Sequence, residues 1–220
     1  MDHDEAQARM QEIQRIMERA TLWTILPGMA AVIGGLIVIV GCVVSFLVFR
    51  SVENATYSPI DFAAMLELSI NAQYAFCVMW FLIGVGGIVV EVHLAQKHAK
   101  RQGISPTGRS AKLAFFSLTP SVVVAMVMTV KFLMPAEPLA REVQYIVPVW
   151  MMLYGTGVYT AGLFSIRAPR VLGLAFISAG IVSLLFLQQY GVITAAVSFG
   201  LFHILFGLYV IRKQRTGSAK

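Results

Sequence analysis

An all-α integral membrane fold of six transmembrane helices is what this chain predicts, and three observations carry that reading. Hydrophobic residues fill 58% of its 220 positions, and the mean hydropathy is +0.76. Six apolar runs approach the roughly 20 residues that a helix needs to cross the hydrocarbon of a bilayer; in a chain this short such runs have no aqueous alternative. The third observation is that the basic residues collect in alternate gaps between the runs. Helices are required because open strands would leave backbone N–H and C=O groups unpaired in lipid, and no run shows the alternation of a barrel strand.

The chain divides into a cytoplasmic amphipathic helix over 1–20, a transmembrane domain over 21–211 and a basic tail over 212–220. In the first part Ala6, Met10, Ile13, Met17 and Ala20 recur in steps of 4, 3, 4 and 3, which places them on one helical stripe with coiled-coil spacing. The remaining faces alternate in sign through Glu5, Arg9, Glu12, Arg15, Glu18 and Arg19. A helix lying on anionic lipid would be dominated by Lys and Arg, so Met10, Ile13 and Met17 are read as a surface for a protein partner. A second reading stays open, in which the stripe packs on the protein's own cytoplasmic loops.

The spans are expected at 24–49, 71–94, 112–134, 146–166, 171–187 and 192–211, the short fifth having room to begin earlier. The first follows mixed charge and is too long for the apolar core of a cleaved signal, so it is read as a retained anchor. Between the first two, Ser58, Pro59 and Asp61 have the order of an N-cap, a first-turn proline and a first-turn acid. They predict a short helix from Phe62 to about Leu68, resting at the outer headgroup level. Trp80 lies deep in the second span and needs a buried partner for its N–H. Cys42 and Cys77 lie within spans and are read as packing thiols.

Orientation follows from the positive-inside rule. Arg9, Arg15, Arg19, Lys97, Lys100, Arg101, Arg109, Lys112, Arg167, Arg170, Arg212, Lys213, Arg215 and Lys220 fall on one side, leaving Arg50, Lys131 and Arg141 on the other. Both termini are therefore expected in the cytoplasm. The net charge of +6 is topological, and direct nucleic-acid binding is not expected.

Ionisable residues at membrane depth are few, which concentrates attention on them. His203 sits well inside the last span and shares a face with Ala196, Phe199, Gly200 and Gly207. It is read either as an interhelical hydrogen-bonding residue or as a ligand, relay or cofactor-binding group. Glu91 and His93 lie near the cytoplasmic end of the second span, Glu91 about 6 Å inside the boundary at about 1.5 Å per residue. A Glu91–His203 pair would require the second and last helices to be neighbours. The fourth span carries Tyr154, Thr156, Tyr159 and Thr160 among glycines, hydroxyls that either satisfy themselves in close helix contacts or line a cavity. No catalytic triad, acid dyad, metal-ligand set or phosphate loop is discernible. Catalysis is the weaker class, and no cofactor or metal is expected.

Three segments carry a resemblance: Ile13-Gln14-Arg15-Ile16-Met17-Glu18-Arg19, Leu153-Tyr154-Gly155, and Gly200-Leu201-Phe202-His203-Ile204-Leu205-Phe206-Gly207. In these and in its layout the chain resembles a family of uncharacterised six-helix bacterial membrane proteins. Their genes often neighbour one for a small winged-helix transcriptional regulator. The Glu91-Val92-His93 end of the second span departs from that pattern, so the resemblance assigns these residues no role. It implies a multi-pass protein of the inner membrane, and a regulatory partner. The expected function is a non-enzymatic scaffold or regulatory protein, with the bilayer, a winged-helix regulator or a second copy of the chain as partners. The competing class is a small-molecule or ion carrier, or a cofactor-binding protein, using His203 and the fourth-span hydroxyls.

Overall fold

A computed structural model describes residues 5, 7, 9–11, 13, 28–101, 109–134, 140–163 and 167–217. Among them there is no strand. Six helices are long and apolar enough to cross a membrane, the organisation of a multi-pass membrane protein. They are α1 (Gly28–Arg50), α2 (Ile70–Arg101), α3 (Arg109–Leu133), α4 (Ile146–Leu163) and α5 (Arg167–Phe186), followed by a composite α6. The last is α-helical over Gly191–Ala195, π-helical over Ala196–Phe202 and α-helical again over His203–Gly217. Helix α2 runs seven residues beyond the expected end of its span at Leu94, carrying Lys97, Lys100 and Arg101 with it. Helix α5 begins at Arg167, earlier than its apolar run.

Glycine sets the packing, because in lipid helices associate through close contact rather than through a hydrophobic drive. Helices α1 and α6 run antiparallel, with Gly35 against Gly200 and Gly28 against Gly207. A Cβ on Gly35 would lie 2.5 Å from the Gly200 carbonyl, closer than atoms can approach. Gly155 of α4 likewise meets Gly173 of α5, and Gly162 meets the Arg170 backbone. Helix α3 closes on α4 through Gly157 against Leu118 and through the Trp150 indole N–H, which donates to Thr129 Oγ1 at 2.7 Å. The result is two triplets, α1–α2–α6 and α3–α4–α5. Their outer faces are apolar and exposed, as at Phe81, Leu82, Val123 and Val127, which suits a lipid solvent.

The end of the bundle away from Gly28 and Gly217 is capped by short 3-10 segments at Phe62–Glu67, Ala140–Tyr145 and Gln188–Tyr190, which pack on one another. The first of these corrects the expectation of a surface helix capped by Ser58. Asp61 is the N-cap, accepting from the Ala63 N–H at 2.9 Å, while Ser58 contributes only its carbonyl to the preceding turn. Phe62, Ala63, Ala64 and Met65 are buried rather than spread on a headgroup surface. The Phe62 ring lies within 6.5 Å of Phe49, 5.4 Å of Phe76 and 5.7 Å of Trp80, so the segment plugs the gap between the helix ends. Glu67 accepts from the Thr56 and Tyr57 N–H groups, and Gln73 donates to the Leu66 and Leu68 carbonyls. These bonds satisfy backbone groups that a buried loop would otherwise leave bare.

Trp80 finds its partner in the buried Ser45, whose Oγ accepts from the indole N–H at 3.2 Å. Cys42 and Cys77 are free thiols. Near the N-terminus, Glu5, Gln7, Arg9, Met10, Gln11 and Ile13 are helical and exposed, and Arg9 bridges Glu5 at 2.7 Å. Met17 lies outside the described residues.

Candidate functional site

The two triplets meet deep in the bundle at His203, where α6 changes its hydrogen-bond pattern. Ser198 is fully buried and its hydroxyl donates to the Thr194 carbonyl at 2.6 Å. Such back-bonding four residues upstream competes with the backbone ladder. The stretch from Ala196 to Phe202 is π-helical, and His203 is its C-cap; wide turns of this kind are frequent where a helix presents a functional side chain.

The imidazole is held on several sides. Its ring lies 5.3 Å from that of Phe176, edge to face, and 6.4 Å from that of Phe199, stacked at 18°. The Tyr154 hydroxyl is 2.8 Å from Nε2. Nδ1 is buried and has no partner among the described residues. Two tautomers make the same bond: Nε2 accepts the Tyr154 O–H, or Nε2–H donates to the phenol oxygen.

Tyr154 is fixed by rings of both partners, 5.0 Å from Phe176 and 5.5 Å from Phe199. The Gly155–Gly173 contact brings the α4 and α5 backbones together beside this cluster, and the Gly35–Gly200 contact sets His203 against α1. The His203 Cβ would stand 3.3 Å from a Cβ on Gly35.

The remaining fourth-span hydroxyls do not join this pair. Thr156 is exposed and donates to the Met152 carbonyl, and Thr160 donates to the Thr156 carbonyl, both at 2.8 Å. Tyr159 is exposed. Glu91 and His93 are on α2, whose main neighbour is α1; no Glu91–His203 hydrogen bond or ion pair forms among the described residues. His93 is exposed. Glu91 is exposed as well. Among the described residues no three His, Cys, Asp or Glu side chains group to hold a metal ion.

Sequence reasoning singled out both members of the Tyr154–His203 pair but not their union, and it missed Phe176 and Ser198 altogether. The Thr194–Ser198 spacing of four residues is a local signal for the distorted turn. Phe176 carried none, because one phenylalanine in a lipid-length run resembles any other.

Neither a family model, nor a curated protein, nor a solved structure matches the chain. The site's chemistry therefore rests on its own geometry: a hydrogen-bonded phenol–imidazole pair in an aromatic setting.

Proposed function

We propose that the chain is a non-enzymatic scaffold or regulatory protein of the bacterial inner membrane, with both termini in the cytoplasm. It engages a protein partner through its N-terminal helix and basic loops. The observation that carries this reading is the pair Met10 and Ile13, which are 59% and 56% exposed and three residues apart on helical backbone. Two large apolar side chains at that spacing form one face, and the Glu5–Arg9 bridge gives the surroundings the mixed charge of a protein-contact helix. The resemblance to membrane proteins encoded beside winged-helix regulators makes such a regulator the first partner to test, and a second copy of the chain the next. Affinity recovery from native membranes, with Met10, Ile13 and Met17 all changed to Glu, tests this. The reading requires a stoichiometric partner that is lost with intact membrane insertion; unchanged recovery defeats it.

The Tyr154–His203 pair favours a second reading, a carrier of a small molecule, ion or cofactor. Absorbance spectra, metal analysis and mass spectrometry of bound small molecules, compared between the native protein and His203→Ala, test it. A bound species lost in the variant supports the reading, and identical content opposes it.

A further inference from the structure

The C-terminal part of the chain carries charge of one sign only. From Val143 to Lys220 the sequence has no Asp or Glu, yet Arg167, Arg170, Arg212, Lys213, Arg215 and Lys220 all fall there. Helix α5 packs chiefly on α4 and more lightly on α6, and neither neighbour offers its arginines a carboxylate. Arg167 and Arg170 form no ion pair among the described residues. Three apart on a helix, they are neighbours, and like charges at close helical spacing repel. The counter-charge has to come from another molecule.

Packing fixes where this pair stands. A Cβ on Gly162 of α4 would lie 2.8 Å from both Cγ and the backbone N of Arg170. The Arg170 stem therefore lies directly on the α4 backbone, where only glycine leaves room, and it is held in place before any ligand arrives, which lowers the ordering cost of binding. Its Nε is buried and has no hydrogen-bond partner among the described residues. A buried donor of this kind is costly without an acceptor, and a guanidinium fork takes phosphate oxygens two at a time. Arg170 is partly and Arg167 fully in the exposed range, so a ligand reaches the pair from the bilayer side.

The residues beside the pair define the rest of that ligand. Arg167, Val171 and Leu174 follow in steps of 4 and 3, along one stripe of α5. Val171 and Leu174 are 67% and 56% exposed, and Leu163, next to Gly162 on α4, is 50% exposed. Arginines at the end of a spanning helix reach the headgroup level while apolar residues deeper in the span face acyl chains. We propose that Arg167 and Arg170 form a binding site for an anionic phospholipid, its phosphate held by the two guanidinium groups and an acyl chain lying along Val171 and Leu174. The lipid is anionic because a choline or ethanolamine head would add a cation where two already stand. This site lies on the exposed face of α4 and α5 and is independent of both readings of function given above.

The test uses the full chain in mild detergent. Dioleoylphosphatidylglycerol is titrated in and bound lipid is counted by native mass spectrometry, with dioleoylphosphatidylcholine as the control of equal chain length. The site requires a saturable phosphatidylglycerol adduct, tighter than the phosphatidylcholine adduct, that Arg167→Gln with Arg170→Gln weakens about tenfold or more. Arg212→Gln with Lys213→Gln removes the same charge at the same end of the bundle and should leave that adduct intact. Arg170→Lys keeps the charge and the stem on Gly162 but loses the fork; it should melt like the native protein and bind with an intermediate loss. Unchanged binding in the Arg167 and Arg170 variant overturns the proposal, as does equal binding of the two lipids. An equal loss in the Arg212 and Lys213 variant also overturns it, by reducing the effect to net charge. An acidic protein that these arginines retain from native membranes, with no preference for phosphatidylglycerol, assigns the pair to a protein contact and overturns the lipid.

Discussion

The Tyr154 hydroxyl sits 2.8 Å from Nε2 of His203, and this bond ties α4 of one helix triplet to α6 of the other. Around it Phe176 and Phe199 contact both rings, so the polar pair is sealed in an aromatic wall. Tyr154→Phe leaves both imidazole nitrogens without a partner among the described residues. An unsatisfied buried group costs about 1–3 kcal/mol. We expect the variant to melt earlier in mild detergent, and Tyr154→Phe with His203→Phe to recover part of that loss because both partners become apolar. A double-mutant cycle on unfolding free energy measures the coupling.

Glycines in one helix should respond in opposite ways. Gly35→Val drives a side chain into the Gly200 carbonyl and must push α1 from α6, an overpacking cost of roughly 1–3 kcal/mol or more. Gly34→Ala enters space with nothing within 4 Å and should be neutral or slightly stabilising, since alanine is the better helix former. Melting temperatures of the two variants compared side by side check the packing order of the bundle.

Ser45 holds two bonds at once, donating to the Gly41 carbonyl at 2.7 Å and accepting from Trp80. Ser45→Ala removes the acceptor and leaves the indole N–H bare, for a loss of about 1 kcal/mol. Replacing Trp23 and Trp150 with Phe isolates Trp80 as the reporter. Its emission should then move to shorter wavelength in the Ser45→Ala background.

Asp61 gives the cap segment a pH dependence with a definite sign. Burial raises its carboxyl above the ordinary value of 3.8, opposed in part by the Ala63 N–H. The folded chain therefore holds this proton more tightly than the unfolded chain. Its contribution to stability is greatest below the ordinary value and declines as pH rises through the raised one. Asp61→Asn keeps the capping acceptor and should flatten that part of the profile. Asp61→Ala also loses the cap, for about 1 kcal/mol. Unfolding measured from acid to neutral pH separates the two effects.

By itself the sequence determined six helices and, with little error, where each one lies. A lipid-length apolar run has one way to satisfy its backbone, so Ile146 and Arg50 mark helix ends in the structure close to where hydropathy changes. It also identified Tyr154, His203 and Glu91 as groups out of place in hydrocarbon, because ionisable and hydroxyl side chains are rare there. Tertiary structure alone decided what they meet. Which glycine faces a helix and which faces empty space is identical in composition, yet Gly35 is filled and Gly34 is open. Likewise Asp61 and Ser58 are both good caps in local sequence; Asp61 caps the buried turn, with its carboxylate oriented toward the Ala63 N–H. Local patterns record which groups need a partner, whereas the identity of that partner depends on contacts between residues tens of positions apart, such as the 49 that separate Tyr154 from His203.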